Sequence, residues 1–153
     1  MERELIVRKI ENGTVIDHIT AGHALSVLHI LGIAGQEGLT ISVVLNVKSD
    51  RLGKKDIVKI EGRELNPNEV DKIALVAPKA TINIIRNYDV ASKKRVKLPS
   101  MIRGIVRCIN PTCISNEPEP IQPIFKVEQE SPLRLRCYYC KRSLEKNEVL
   151  RQF

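Results

Sequence analysis

The sequence predicts an α+β protein in two parts, an antiparallel sheet with two helices on one face followed by a small all-β unit. Three observations carry that reading. A strand–helix–strand pattern occurs twice in the first hundred residues, and the composition breaks at Leu98-Pro99-Ser100. All four cysteines, Cys108, Cys113, Cys137 and Cys140, lie beyond the break. The domains are therefore expected over 1–99 and 100–153.

Leu5 to Ile10 and Thr14 to Ile19 read as strands, with Asn12-Gly13 as the turn between them. Thr20 is the expected N-cap of a first helix, whose Ala21, Ala24, Leu25, Leu28 and Leu31 recur at helical spacing and which Gly32 closes. Leu39 to Val47 is rich in β-branched residues and reads as a strand. The pattern then repeats. Asp56 to Glu61 alternates, Asn66-Pro67 opens a helix that turns Val70, Ile73, Ala74 and Ala77 inward, and Pro78 ends it. Ala80 to Asn87 returns as a strand with Ile82 and Ile84 on one face, Asn83 and Ile85 on the other. Strand, helix, strand, strand, helix, strand is the ferredoxin-like order. Val90 to Val96 extends it as a lysine-bearing edge strand. Beyond the break, Ile102 to Cys108, Ile124 to Gln129 and Leu133 to Cys137 are short strands, and Pro118, Pro120 and Pro123 exclude a helix between them.

The chain has 153 residues, 42% of them hydrophobic but only 3% aromatic, with no Trp. Two small cores of branched aliphatics bury little area per residue, so a metal or a partner subunit would help hold them together. The net charge of +7 is spread along the chain, with 16 basic against 12 acidic residues up to Ser100 and 9 against 6 beyond it. Its densest run is Lys93, Lys94, Arg95 and Lys97, which reads either as a solvated face or as an anion site. No run approaches the roughly 18 apolar residues of a membrane span and no signal-like segment is apparent, so a cytoplasmic protein is expected.

In that compartment clustered cysteines bind metal more often than they form disulfides. Cys108-Ile-Asn-Pro-Thr-Cys113 and Cys137-Tyr-Tyr-Cys140 are two short-spaced pairs, each able to reach one ion from a tight turn. Thiolate softness favours one Zn²⁺; an iron–sulfur cluster would share the ligands. Four ligands leave no open coordination position, so the role is structural. Asp17 and His18 sit where a strand turns toward a helix, while His23 and His29 lie within the first helix pattern. No nucleophile signature, Gly-rich phosphate loop or carboxylate cluster makes a case for an enzyme.

Taken jointly, these pieces resemble one family, the regulatory chain of aspartate carbamoyltransferase. The resemblance covers essentially the whole chain. It rests on GTVIDHI at Gly13 to Ile19, KDIVKIE at Lys55 to Glu61, APKATINIIRNYDV at Ala77 to Val90, and Leu98-Pro99. CINPTCISNEPEP at Cys108 to Pro120 and CYYC at Cys137 to Cys140 complete it.

The resemblance implies a noncatalytic subunit whose first domain binds the effectors CTP, UTP and ATP and pairs regulatory chains into homodimers. The zinc domain would hold the catalytic chain, in a dodecamer of two catalytic trimers and three regulatory dimers that commits precursors to pyrimidine synthesis. Carried over by position, the effector pocket would use Asp17, His18, Ile57, Lys59, Asn83, Ile85, Tyr88, Val90 and Lys93. Val7 and Ile10 would line the base, with Arg8 beside them where other members carry an acidic residue. Lys93 and Lys59 would meet the triphosphate with Lys94 nearby, and Asp17 the ribose. Two other readings compete. A zinc-ribbon nucleic-acid binder predicts steep salt dependence, though aromatics for stacking are scarce. A small-molecule-sensing enzyme domain predicts turnover by the isolated chain.

Overall fold

The computed structural model describes residues 9–118 and 121–153. The chain divides into two compact units, Met1–Lys97 and Leu98–Phe153.

The first unit contains β1 (Gly13–Thr20), α1 (Ala24–Ile30), β2 (Ile41–Ser49), β3 (Gly53–Glu61), α2 (Pro67–Val76), β4 (Thr81–Arg86) and β5 (Asp89–Arg95). The strands form one sheet in the order β2-β3-β1-β4-β5, with every neighbouring pair antiparallel. This is the ferredoxin-like arrangement with β5 added at one edge. The core follows from strict alternation along the central strands. Thr14 and Ile16 of β1 and Asp56, Val58 and Ile60 of β3 are buried beneath the helices, while Val15, Asp17, Lys55, Ile57 and Lys59 face the opposite side. Gly13 lets β1 and β3 close up. It has φ +141°, and a Cβ there would lie 2.1 Å from the carbonyl oxygen of Ile60.

Helix α2 forms as its sequence requires. Asn66 accepts from the backbone N–H of Glu69, Glu69 returns a bond to the N–H of Asn66, and Pro67 occupies the first turn. Ile73, Ala74 and Ala77 are buried as expected, whereas Val70 is half-buried. Helix α1 differs from expectation at its start and in its face. Thr20 stays in β1, and the helix begins only at Ala24 behind His23, which makes no side-chain capping bond. The cap comes instead from β3. The buried Asp56 carboxylate accepts from the N–H groups of Gly22 (2.9 Å) and Ala24 (3.1 Å), and its second oxygen accepts from Asn46 of β2 (2.9 Å). The delayed start turns Ala24, Val27, Ile30 and Leu31 inward and leaves Leu25 exposed. At the far end, Gly32 N–H bonds His29 O and Ile33 N–H bonds Leu28 O, a Schellman closure with Gly32 at φ +71°.

The expected strand Leu5 to Ile10 lies mostly outside the described residues; Lys9 and Ile10 themselves belong to no strand.

The second unit contains β6 (Met101–Arg103), β7 (Ile124–Glu130), β8 (Leu133–Cys137), β9 (Ser143–Glu145) and α3 (Lys146–Leu150), the strands forming an antiparallel sheet in that order. The strand expected over Ile102 to Cys108 stops at Arg103, because the chain turns at Gly104, whose N–H bonds Pro123 O. The five-residue α3 is an addition to the all-β expectation. It is started by a capping box between Glu145 and Glu148. Ile102, Val106, Phe125, Leu135, Leu144 and Val149 make a small aliphatic core around one aromatic ring.

Candidate functional site

Two sites emerge, one in each unit. In the second unit the four cysteines converge. Their sulfurs all lie within 4.8 Å of one another, with Cys108 to Cys140 at 3.5 Å and Cys113 to Cys137 at 3.6 Å. Four thiolates on one Zn²⁺ at about 2.3 Å define a tetrahedron with edges of about 3.8 Å, so the cluster fits a single ion. Cys108, Cys113 and Cys137 are buried and Cys140 is partly covered.

Local backbone chemistry builds the two loops. Asn110 O accepts from Cys113 N–H, and the Asn116 amide donates to the carbonyls of both Cys108 and Asn110 at 2.8 Å. At the second pair, Lys141 takes φ +65° and its N–H returns to Cys137 O. Considered as thiols, the four are unequal. Burial pushes Cys108 up to about 12, and it raises Cys137 as well. Burial also opposes ionisation of Cys140, but the Arg142 backbone N–H and the neighbouring polar groups prevail and bring it down to about 6. Cys113 is lowered too, against its burial, by Ser115, whose hydroxyl lies 3.2 Å from its sulfur. The sulfurs sit in two close pairs, Cys108 with Cys140 and Cys113 with Cys137. A divalent cation displacing the remaining protons would find four soft donors already gathered.

In the first unit, a cavity of about 330 Å³ opens on the sheet face away from the helices. Its lining includes Ile10, Lys59, Asn83, Ile85, Tyr88 and Val90, six of the sequence-predicted positions. Strand register explains the convergence. Lys59 of β3 pairs with Val15 of β1, Val15 with Asn83 of β4, and Asn83 with Lys93 of β5, so the four form one rung across the sheet. Asp17 and Ile57 share this face by alternation on β1 and β3 but lie outside the cavity lining, as do His18 and Lys93. Val7 and Arg8 fall outside the described residues. Lys94 is corrected. It pairs with Ile82 and lines a different cavity on the helix side, so only Lys93 of the two projects toward this face.

Charge gathers beside the cavity. Lys55 Nζ reaches both oxygens of Asp17 (3.0 and 3.2 Å), and Asp17 also accepts from the N–H of His18 at 2.6 Å. His18 sits in a β-bulge at φ +56°, its Nδ1 2.9 Å from Thr81 Oγ1. Burial holds the His18 imidazole below its usual value; Asp17 opposes the shift, while Lys55, Arg51 and Lys93 add to it. Burial likewise lowers Lys59, with Asp17 pulling the other way. The patch can therefore stabilise an anion with three lysines, and the apolar cavity beside it can receive a flat, partly apolar group. Val15, Lys9 and Asp89 also line the cavity, and none was marked by the sequence pattern. The signal for Val15 is its period-two spacing from Asp17 on β1, and for Lys55 its period-two spacing from Ile57 and Lys59 on β3.

A sheet with its helices on one side, an open cavity beside a lysine patch on the other and a separate four-cysteine unit define a two-part chain with a candidate anion site and a candidate metal centre. Residues 5–97 match the family described as aspartate carbamoyltransferase regulatory chain, allosteric domain, and residues 100–150 match its metal binding domain. The aspartate carbamoyltransferase regulatory chain of Thermofilum pendens is 60% identical over 153 residues, covering 99% of this chain and 96% of that one. The same chain of Korarchaeum cryptofilum is 57% identical, covering 99% and 98%. The protein belongs to the family of aspartate carbamoyltransferase regulatory chains, and it is the regulatory and not the catalytic kind of subunit.

Proposed function

We propose that this chain senses CTP, UTP and ATP in the cavity on β1, β3, β4 and β5 and passes their occupancy to an aspartate carbamoyltransferase catalytic chain, giving feedback control of pyrimidine biosynthesis. The observation that carries this reading is the meeting of Ile10, Lys59, Asn83, Ile85, Tyr88 and Val90 in one cavity, with Lys93 on the same rung as Lys59 and Asn83. The apolar side chains exclude water from a base, and the lysines supply point charges for phosphates. Alternation in β5 sends Lys93 and Lys94 to opposite faces. The basic run is thus divided, which favours a compact anion over a nucleic-acid strand.

The four cysteines hold one structural Zn²⁺, whose chemistry here is to cross-link two loops. Ile109, Ile114 and Tyr138, each next to a cysteine in the chain, are exposed and offer apolar surface to the catalytic chain. Edge strand β2 exposes Val43 and Leu45, whereas the opposite edge, β5, is lined with cations. The apolar edge suits pairing of two regulatory chains. Three such dimers joining two catalytic trimers complete a cytoplasmic dodecamer. Each effector must bind the two states of that assembly unequally, and substrate occupancy then alters nucleotide affinity by the same factor. The test is copurification with a catalytic chain followed by CTP titration of its activity. An assembled complex whose activity ignores every nucleotide sinks the reading.

Lys93→Ala should weaken CTP, UTP and ATP alike by about 10- to 100-fold, the scale of one lost charge-assisted phosphate contact. Isothermal titration of each nucleotide checks this, and a loss confined to one base would place Lys93 at the base instead.

His18 sets the pH dependence. Its folded pKa is depressed, so the stability it contributes is present above about 6.5 and lost as pH falls below that value. A bound triphosphate offsets the repulsion from Lys55, Arg51 and Lys93 and raises the imidazole. Binding should then take up a proton on the acid side of neutrality, and His18→Gln should remove the imidazole's share of that uptake. Calorimetry in buffers of different ionisation enthalpy reads this uptake directly, and unchanged uptake in the variant would exclude His18 as the acceptor.

A further inference from the structure

Alternate residues of β4 line two different cavities. Asn83 and Ile85 belong to the effector cavity, whereas Ile82 and Ile84 line a second one, of about 280 Å³, between β4, β5 and α2. Its lining comes entirely from the first unit. Leu65, Val70, Ile82 and Ile84 make it apolar, and Leu65 and Ile82 are buried. Lys94, Arg95 and Lys97 also line it, against the single acid Asp71. These three are the members of the basic run other than Lys93. The volume lies at the lower end of ligand pockets and suits a compact molecule.

We infer that this helix-side cavity is a second small-molecule site, taking an organic anion that combines an apolar body with one phosphate or carboxylate. The ring or branched chain covers Leu65, Val70, Ile82 and Ile84, displacing water from an apolar surface. The anionic head meets Lys94 and Lys97. The register directs the two lysines apart: Lys93 pairs with Asn83 on one face and Lys94 with Ile82 on the other.

The test uses the full-length, metal-loaded chain and phenyl phosphate as the probe, with benzyl alcohol as its uncharged counterpart. Saturation-transfer NMR and titration should give phenyl phosphate a Kd on the order of 1 mM, as its few atoms allow. That affinity should survive in Lys93→Ala and under excess CTP. Lys94→Ser should weaken it about fivefold or more, and Val70→Trp, which fills the cavity, should abolish it while the circular dichroism of the sheet is retained. Benzyl alcohol should bind at least about fivefold more weakly. Loss of phenyl phosphate binding in Lys93→Ala would assign it to the effector cavity and overturn the second site. Equal binding of benzyl alcohol would overturn it too, by showing a surface without charge selection. These readouts do not depend on CTP being an effector, because the comparison of Lys93→Ala with Lys94→Ser stands without it.

Discussion

A Cys113→Ala chain is expected to lose the fold of the Leu98–Phe153 unit and its hold on the catalytic chain, while still binding nucleotide. The unit is small and its core contains a single buried aromatic, Phe125. Three of its buried side chains are themselves cysteines. A core of that size yields only a few kcal/mol, whereas a structural zinc contributes on the order of 10–16 kcal/mol to folds of this kind. Removing one of four ligands forfeits most of that. The loops of Cys108–Cys113 and Cys137–Cys140 would then be joined only by hydrogen bonds such as those of Asn116. A chelator at neutral pH should act like the substitution. So should acid, because metal-bound thiolates are depressed relative to the unfolded chain and their stabilising contribution disappears as pH falls and they reprotonate. Hydrogen exchange read separately over the two units checks the division. Slow exchange in β7 and β8 without metal, or loss of CTP binding with it, would contradict the assignment of separate tasks.

How much of this was legible in the sequence depends on whether the cause was local. The capping box of α2 is written in Asn66, Pro67 and Glu69, three neighbours, and the helix starts where they place it. The cysteine pairs were equally legible, since each pair shares one short loop and only the meeting of the two loops required the fold. The common face of Lys59, Asn83 and Ile85 was legible through alternation and the family's motifs, and one cavity gathers the three. Helix α1 was not. Its cap comes from Asp56, more than thirty residues along the chain, so no local window contains the signal that moves the start from Ala21 to Ala24. Lys94 failed for a related reason. Four basic residues in a run look like one patch until the strand alternates them across two faces.

Asp56 is the residue on which the second large effect is expected. Its side chain is wholly buried, yet it faces the helix side of β3 among Val58 and Ile60, where an unpaired charge would be untenable. It is tolerated because three backbone N–H groups converge on it, from Gly22, Ala24 and the bulged Asn46. One carboxylate thereby fixes the start of α1 and the β2 bulge to the strand whose other face carries Lys55, Ile57 and Lys59. Asp56→Ala would leave all three donors without their acceptor and should cost about 3–5 kcal/mol. For a domain of this size that lowers Tm by roughly 15–25 °C. Asp56→Asn keeps one acceptor oxygen for Gly22 and Ala24 but turns an amide donor toward the Asn46 N–H, so about half the loss is expected. Differential scanning calorimetry on the metal-loaded chain, with exchange rates at Gly22, Ala24 and Asn46, separates the cases. Should Asp56→Ala melt within about 1 kcal/mol of the parent, water must be able to replace the carboxylate at all three amides. The face of Lys55, Ile57 and Lys59 would then owe its rigidity to the strands alone.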